Sequence, residues 1–106
     1  MFIITGGKGF HIKFENGYRI SVQFGLGNYC ENKDLSVDFN DDFFGQERDA
    51  AASGSNTAEI AVMNRAGDFV GQELGILEGD DVEGWCTPAR VLEVMNIISK
   101  LEKDNG

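Results

Sequence analysis

The sequence predicts an α+β domain in which antiparallel β-hairpins form a small sheet packed on one C-terminal α-helix. Three observations predict it. Apolar residues alternate on both sides of an Asn16-Gly17 pair, and they alternate again from Ala58 to Val62. After Thr87-Pro88 the apolar spacing then switches to that of a helix.

The first quarter reads as strand and turn. Met1–Thr5 is apolar, and Gly6-Gly7-Lys8-Gly9 turns the chain. Phe10, Ile12 and Phe14 alternate with His11 and Lys13 up to Glu15-Asn16-Gly17. Asn-Gly favours tight hairpins because both residues tolerate positive φ. Tyr18, Ile20, Val22 and Phe24 then keep to one face of the return strand, opposite Arg19, Ser21 and Gln23. Seven apolar residues on one side of one hairpin predict a half-buried antiparallel sheet.

From Gly25 to Thr57 the pattern is lost. This long excursion carries Asp34, Asp38, Asp41, Asp42, Glu47 and Asp49, interrupted by Phe39, Phe43 and Phe44. It ends in a small, polar run from Ala50 to Thr57. Connections of this length are either functional or loose. The three phenylalanines speak against simple disorder, leaving a segment packed over a ligand or a partner subunit, or a surface flap.

Ala58–Asn64 reads as a strand, Arg65-Ala66-Gly67 as a turn, and Asp68–Val70 as the start of a return. A short strand is expected around Leu74–Leu77 and a last one over Val82–Trp85. Thr87 is an N-cap residue and Pro88 suits the first helical turn. Val91, Leu92, Val94, Met95, Ile97, Ile98 and Leu101 follow at helical spacing towards Lys103. Their arc spans about 220°, wider than one sheet face needs. The surplus flank of Val94, Ile97 and Leu101 predicts a second neighbour: another copy of the chain, or a deep groove in the same subunit.

One domain over residues 1–106 fits the length. No apolar run approaches the length of a membrane helix, and the N-terminus lacks a basic secretory start. A cytoplasmic location is therefore expected. Nine basic and eighteen acidic residues give a net charge of −9. That balance disfavours polymer nucleic acid, which is bound through clustered Lys and Arg. It leaves two classes of function: mimicry of nucleic acid, or a pocket that concentrates a few cations.

Catalytic constellations are thin. No Gly-x-Ser-x-Gly is present, and Gly6-Gly7-Lys8-Gly9 lacks the length and the following hydroxyl of a phosphate loop. Cys30, Cys86 and the lone His11 have no metal-site spacing. The residues predict neither an enzyme nor a bound metal or cofactor. Arg90 is the position of interest, because a cation in the first helical turn opposes the macrodipole. An anion held by the guanidinium and the free N–H groups of the helix start would explain it. An ordinary Arg–carboxylate pair is the alternative. Lys8, Arg19, Arg48 and Arg65 are the other candidate cations, with Arg65 in a hairpin turn. Asn28, Tyr29 and Trp85 offer an amide and flat faces for a purine, or ordinary packing.

Lys8-Gly9-Phe10-His11-Ile12, the hairpin Asn16-Gly17-Tyr18 into Ser21-Val22-Gln23-Phe24, and Gly27-Asn28-Tyr29-Cys30 carry a resemblance, as do Thr57-Ala58-Glu59-Ile60-Ala61-Val62 and Thr87-Pro88. Together they resemble the phage Thoeris anti-defence protein 1 family, over most of the chain, in texture rather than through a catalytic signature. The resemblance implies a protein of the host cytoplasm that sequesters a nucleotide immune signal without cleaving it. That signal would be a cyclic ADP-ribose isomer, with cyclic oligonucleotides held at separate sites in some members. It also implies dimers that assemble further, up to hexamers, with ligand between subunits and an Arg near the C-terminal helix in contact with it. Arg90 is the position that matches, with Thr87 beside it, whereas Asn28 and Tyr29 match only as members of a shared motif. The alternatives are a hydrolase of such a signal and an acidic inhibitor of a nucleic-acid-binding defence enzyme.

Overall fold

The chain forms β1 (Phe2–Ile4), β2 (Gly9–Lys13), β3 (Arg19–Gln23), β4 (Ala58–Met63), β5 (Val82–Cys86) and α1 (Pro88–Ser99). The structure is a computed structural model, and it describes residues 1–6, 8–25, 27–33 and 54–104. Each strand pairs antiparallel with the next, giving a five-stranded sheet in the order β1-β2-β3-β4-β5. The helix packs on β3, β4 and β5. The predicted fold class is the observed one.

The N-terminal hairpin has the register that its alternation dictates. Phe10 lies opposite Val22 and Ile12 opposite Ile20, while the Phe14 N–H donates to the Tyr18 carbonyl at 2.8 Å. Gly17 closes the turn at φ 96°, a conformation that a Cβ would strain. The apolar rows continue into β4, where Ile20 faces Val62 and Val22 faces Ile60. Ile20, Ile60 and Val62 are fully buried together with Val94 and Ile98 of the helix. Burying each such side chain contributes roughly 1.5–3 kcal/mol.

Thr87 caps the helix as predicted. Its backbone is extended, and its side-chain oxygen accepts the Arg90 N–H at 3.2 Å. The helix stops at Ser99 rather than near Lys103. Asn16 explains the early stop, because its Nδ2 donates to the carbonyls of Ile98 and Leu101 at 2.8 and 3.1 Å. A turn residue of the first hairpin thus adds a side-chain donor to carbonyls at the helix end, where the Ile98 carbonyl also accepts the Leu101 N–H at 3.1 Å.

One expectation about the elements is corrected. Leu74–Leu77 is a turn, closed by the Leu74 N–H on the Val70 carbonyl and by Gly75 at φ 72°. Ile76 and Leu77 drop from that turn into the core, so their apolar character reflects plugging rather than strand alternation. The return from Arg65-Ala66-Gly67 forms as expected and is short: the Asn64 N–H donates to the Asp68 carbonyl at 3.0 Å, Met63 bridges Phe69, and the Val70 N–H donates to the Val62 carbonyl at 2.9 Å.

The helix flank is corrected as well. Val94 is fully buried and Leu101 is half-buried against the chain's own core, which spends much of the surplus arc inside the protomer. Leu92 and Ile97 remain exposed, at 59% and 39%. Of the long acidic excursion, residues 34–53, with Phe39, Phe43, Phe44 and Arg48, lie outside the described residues. Its two ends lie side by side. Asn32 donates to the Gly54 carbonyl at 3.1 Å, and the Glu31 N–H donates to Thr57 Oγ1 at 2.9 Å. Among the described residues no helix is long and apolar enough to cross a membrane.

Candidate functional site

Tyr29 and Trp85, separated widely in sequence, meet in the fold. Their rings stack with centroids 5.8 Å apart and an interplanar angle of 29°. They stay 49% and 56% exposed, which sets them apart from aromatics that serve a core.

The pair is built by an irregularity in β5. Ala58 pairs with Cys86 and Ile60 with Glu83, so β4 advances two residues where β5 advances three. The extra residue makes a β-bulge, and bulges re-aim a side chain next to sites. Trp85 is the residue that absorbs it. Its φ of 50° is the one positive value on a non-glycine residue among those described. Such bulges ordinarily place glycine there, and a bulky side chain in this region costs about 1–3 kcal/mol.

The 25–33 loop completes the arrangement. The Trp85 N–H that the bulge turns out of the ladder donates to the Tyr29 carbonyl at 2.8 Å. The Tyr29 N–H donates to Glu59 Oε2 at 2.7 Å. Gly84 permits this approach, since a Cβ there would lie 2.7 Å from Tyr29 Cβ. Lys33 carries its Nζ 5.7 Å from the centroid of the Tyr29 ring, within cation–π range. Among the described residues the face thus brings together two rings, the Lys33 ammonium and the Glu59 carboxylate. The Asn28 side chain shapes the loop from within, its Oδ1 accepting the Gly25 N–H at 3.0 Å.

Arg90 is engaged elsewhere. Its Nε and one terminal nitrogen clasp Glu83 at 2.8 and 2.9 Å, and that same nitrogen donates to the Ile76 carbonyl at 3.0 Å. The other terminal nitrogen donates to Glu93. The carboxylate alternative therefore describes Arg90, and the guanidinium ties α1 to β5 and to the 71–81 turn. The bidentate bond to Arg90 holds the Glu83 carboxyl below its ordinary range despite partial burial, and mainly the same bond raises the guanidinium further. Thr87 is likewise committed, as the helix cap. Arg65 lies at the opposite end of β4 from Glu59, its backbone N–H and Nε bonded to Asp104 at 2.8 and 2.9 Å.

A cavity of about 470 Å³ lies between the helix start and the end of β3, lined among others by Val22, Phe24, Thr57, Cys86, Val91 and Met95. Its walls are mainly apolar, with Ser55, Asn56 and Thr57 along one side of the lining, and Arg90 is not among the lining residues. Cys86 is buried there, and its thiol is pushed up to about 12, first by burial and then by the neighbouring Glu83. Such a thiol is a poor nucleophile. Cys86 belongs to the core on the helix side, while His11 pairs with Ser21, opposite Ala61, on the other face of the sheet. The two therefore do not form a nucleophile–base pair. Among the described residues no group of three or more His, Cys, Asp or Glu side chains could hold a metal ion.

Of the six candidates, then, the fold joins Tyr29 and Trp85, uses Asn28 to shape the adjoining loop, and engages Arg90, Thr87 and Arg65 in bonds within the chain. Sequence reasoning missed Glu59, Lys33 and Gly84. Only Gly84 left a signal, because a glycine inside a strand pattern marks a bulge or a close approach. Comparison with protein-family models, curated proteins and solved structures gave no match.

Proposed function

We propose that this protein is a non-catalytic binder of a planar anionic ligand of nucleotide type, taken up on the Tyr29–Trp85 face. The exposed ring pair carries this reading, since a strained bulge holds a large aromatic ring half in solvent at a position where glycine would be relaxed. A base can stack on such a face for about 1–3 kcal/mol, and Lys33 brings a positive charge to an otherwise acidic molecule. Sequestration of a cyclic ADP-ribose isomer, the activity that the sequence resemblance implies, is the specific form of this proposal. Arg90 has no part in it.

Trp85 is the single tryptophan of the chain, so it reports on its own surroundings. Titration with cyclic ADP-ribose isomers, ADP-ribose and AMP should quench Trp85 fluorescence, and Tyr29→Ala should weaken the effect at least tenfold. The bound compound should be recovered intact after denaturation. Linear or cleaved product would favour the hydrolase instead. Absence of quenching by every nucleotide would leave the rings as an anchor for a protein partner, a role in which Trp and Tyr are enriched. That reading joins the aromatic pair to the net charge of −9 and predicts tight binding to a basic protein, weakened by salt.

A further inference from the structure

Among the described residues, strand β1 is a sheet edge whose backbone and side chains are both left open. Met1 and Lys13 exchange both backbone bonds, at 2.8 Å each, and the Thr5 N–H donates to the Gly9 carbonyl at 3.2 Å. Antiparallel ladders alternate, so Ile3 is the bonded partner of His11 between them. Phe2 and Ile4 therefore direct their N–H and C=O groups away from β2, towards the open edge. Their side chains lie on the helix side of the sheet, because Phe2 faces Ile12 and Ile4 faces Phe10. The helix does not reach them, since it packs on β3, β4 and β5. Phe2 and Ile4 are 80% and 86% exposed.

Natural edges are blunted by Lys, Pro, bulges or inward charges. Phe2-Ile3-Ile4 has none of these. We infer that β1 pairs antiparallel with β1 of a second copy, about a two-fold axis at Ile3, and doubles the sheet. The occupant is a second copy because the edge is complementary to itself. In this register Phe2 meets Ile4 of the copy, and each exchanges its outward N–H and C=O with the other. The row Val62, Ile20, Ile12, Phe2 then runs on through Ile4, Phe10, Val22 and Ile60 of the copy. Every position on the row is apolar.

Charge points the same way. Residues 1–14 contain Lys8, His11 and Lys13 and no acidic residue, although the chain carries −9. The strand and its neighbour β2 thus bring no carboxylates of their own to the seam. Met1, Phe2 and Ile4, with Phe10 and Ile12 behind them, offer roughly 1,000 Å² over both copies, the lower limit for a specific interface.

Sedimentation velocity of the full chain at about 100 μM, where a Kd of roughly ten micromolar leaves most copies paired, should give a dimer. Ile4→Pro removes an outward donor and no bond within the protomer, so it should give a folded monomer with unchanged far-ultraviolet dichroism. Ile97→Glu, on the helix, should leave the dimer intact. Should Ile4→Pro fail to fold, amide exchange on the unaltered chain decides. The Phe2 and Ile4 amides must become protected as concentration rises. A wild-type monomer, a dimer that survives in folded Ile4→Pro, a dimer lost in Ile97→Glu, or concentration-independent exchange at Phe2 and Ile4 overturns the inference.

Discussion

Trp85 occupies a backbone conformation in which glycine would be relaxed, and its ring is more than half exposed. Stability therefore does not account for the residue. Trp85→Gly releases strain of about 1–2 kcal/mol and forfeits a partly buried ring. The two effects offset, and the urea midpoint should stay within about 1 kcal/mol of wild type. Trp85→Ala keeps the strain and loses the ring, so it should be less stable than Trp85→Gly by about 1 kcal/mol. That order reverses the usual strand preference. Both variants should lose the calorimetric heat of nucleotide binding, and a Trp85→Gly protein that binds as wild type does would remove the platform from the proposal. Arg90 gives the opposite expectation. Its side chain and that of Glu83 are 25% and 24% exposed, so solvent screens the pair only in part. Arg90→Ala should lower stability by about 1–3 kcal/mol while leaving ligand affinity intact. Thermal unfolding together with a binding titration separates the two outcomes. Cys86, with its thiol near 12, should resist alkylation at neutral pH until the chain unfolds. Labelling of Cys86 in the native protein at the rate of a free thiol would contradict the burial.

At the scale of elements, the Asn16 side chain fastens the first hairpin to the end of the helix. Asn16→Ala removes two bonds between elements distant in sequence, one to Ile98 in the last helical turn and one to Leu101 just beyond it, while the Ile98 carbonyl keeps the Leu101 N–H at 3.1 Å. A loss of about 1–3 kcal/mol in denaturant unfolding is expected, and a change within a few tenths would mean that water replaces the amide. The same residue marks how far the sequence was legible. Asn16-Gly17 announced its turn because turn chemistry is local, and so did the alternation around it and the cap at Thr87. The reach of Asn16 to Ile98 and Leu101 had no local sign. Ile76 and Leu77 were misread as strand for a related reason: four residues of mixed character do not reveal whether they line a ladder or plug a core. Arg90 was singled out correctly as unusual, but its partners Glu83 and Ile76 come from other elements, and spacing along one helix cannot supply them. Tyr29 and Trp85 were each legible as flat surfaces. Their meeting depends on the bulge, for which Gly84 was the only sequence trace.

The whole molecule couples its stability to pH through groups on both faces of the sheet. On the side away from the helix, His11 Nδ1 is buried without a hydrogen-bond partner among the described residues. Burial first, and then the charge of Arg19, lower its pKa below the ordinary 6.5. The folded chain therefore resists protonation of His11 while the unfolded chain takes the proton freely. By linkage, this contribution is complete above 6.5 and is lost as pH falls from there towards the folded value. Glu83 behaves alike at a lower range. Its bond to Arg90 holds it below the ordinary 4.5, so its share persists through neutral pH and declines only beneath that value. Urea midpoints should thus hold steady above neutrality and fall in two stages on acidification. His11→Gln should flatten the upper stage and spare the lower, while Glu83→Gln should do the reverse from a less stable starting point. An acid limb in His11→Gln that parallels the wild-type curve between those two values would mean that the imidazole finds a proton acceptor in the folded chain, and that its buried nitrogen does not set the upper stage.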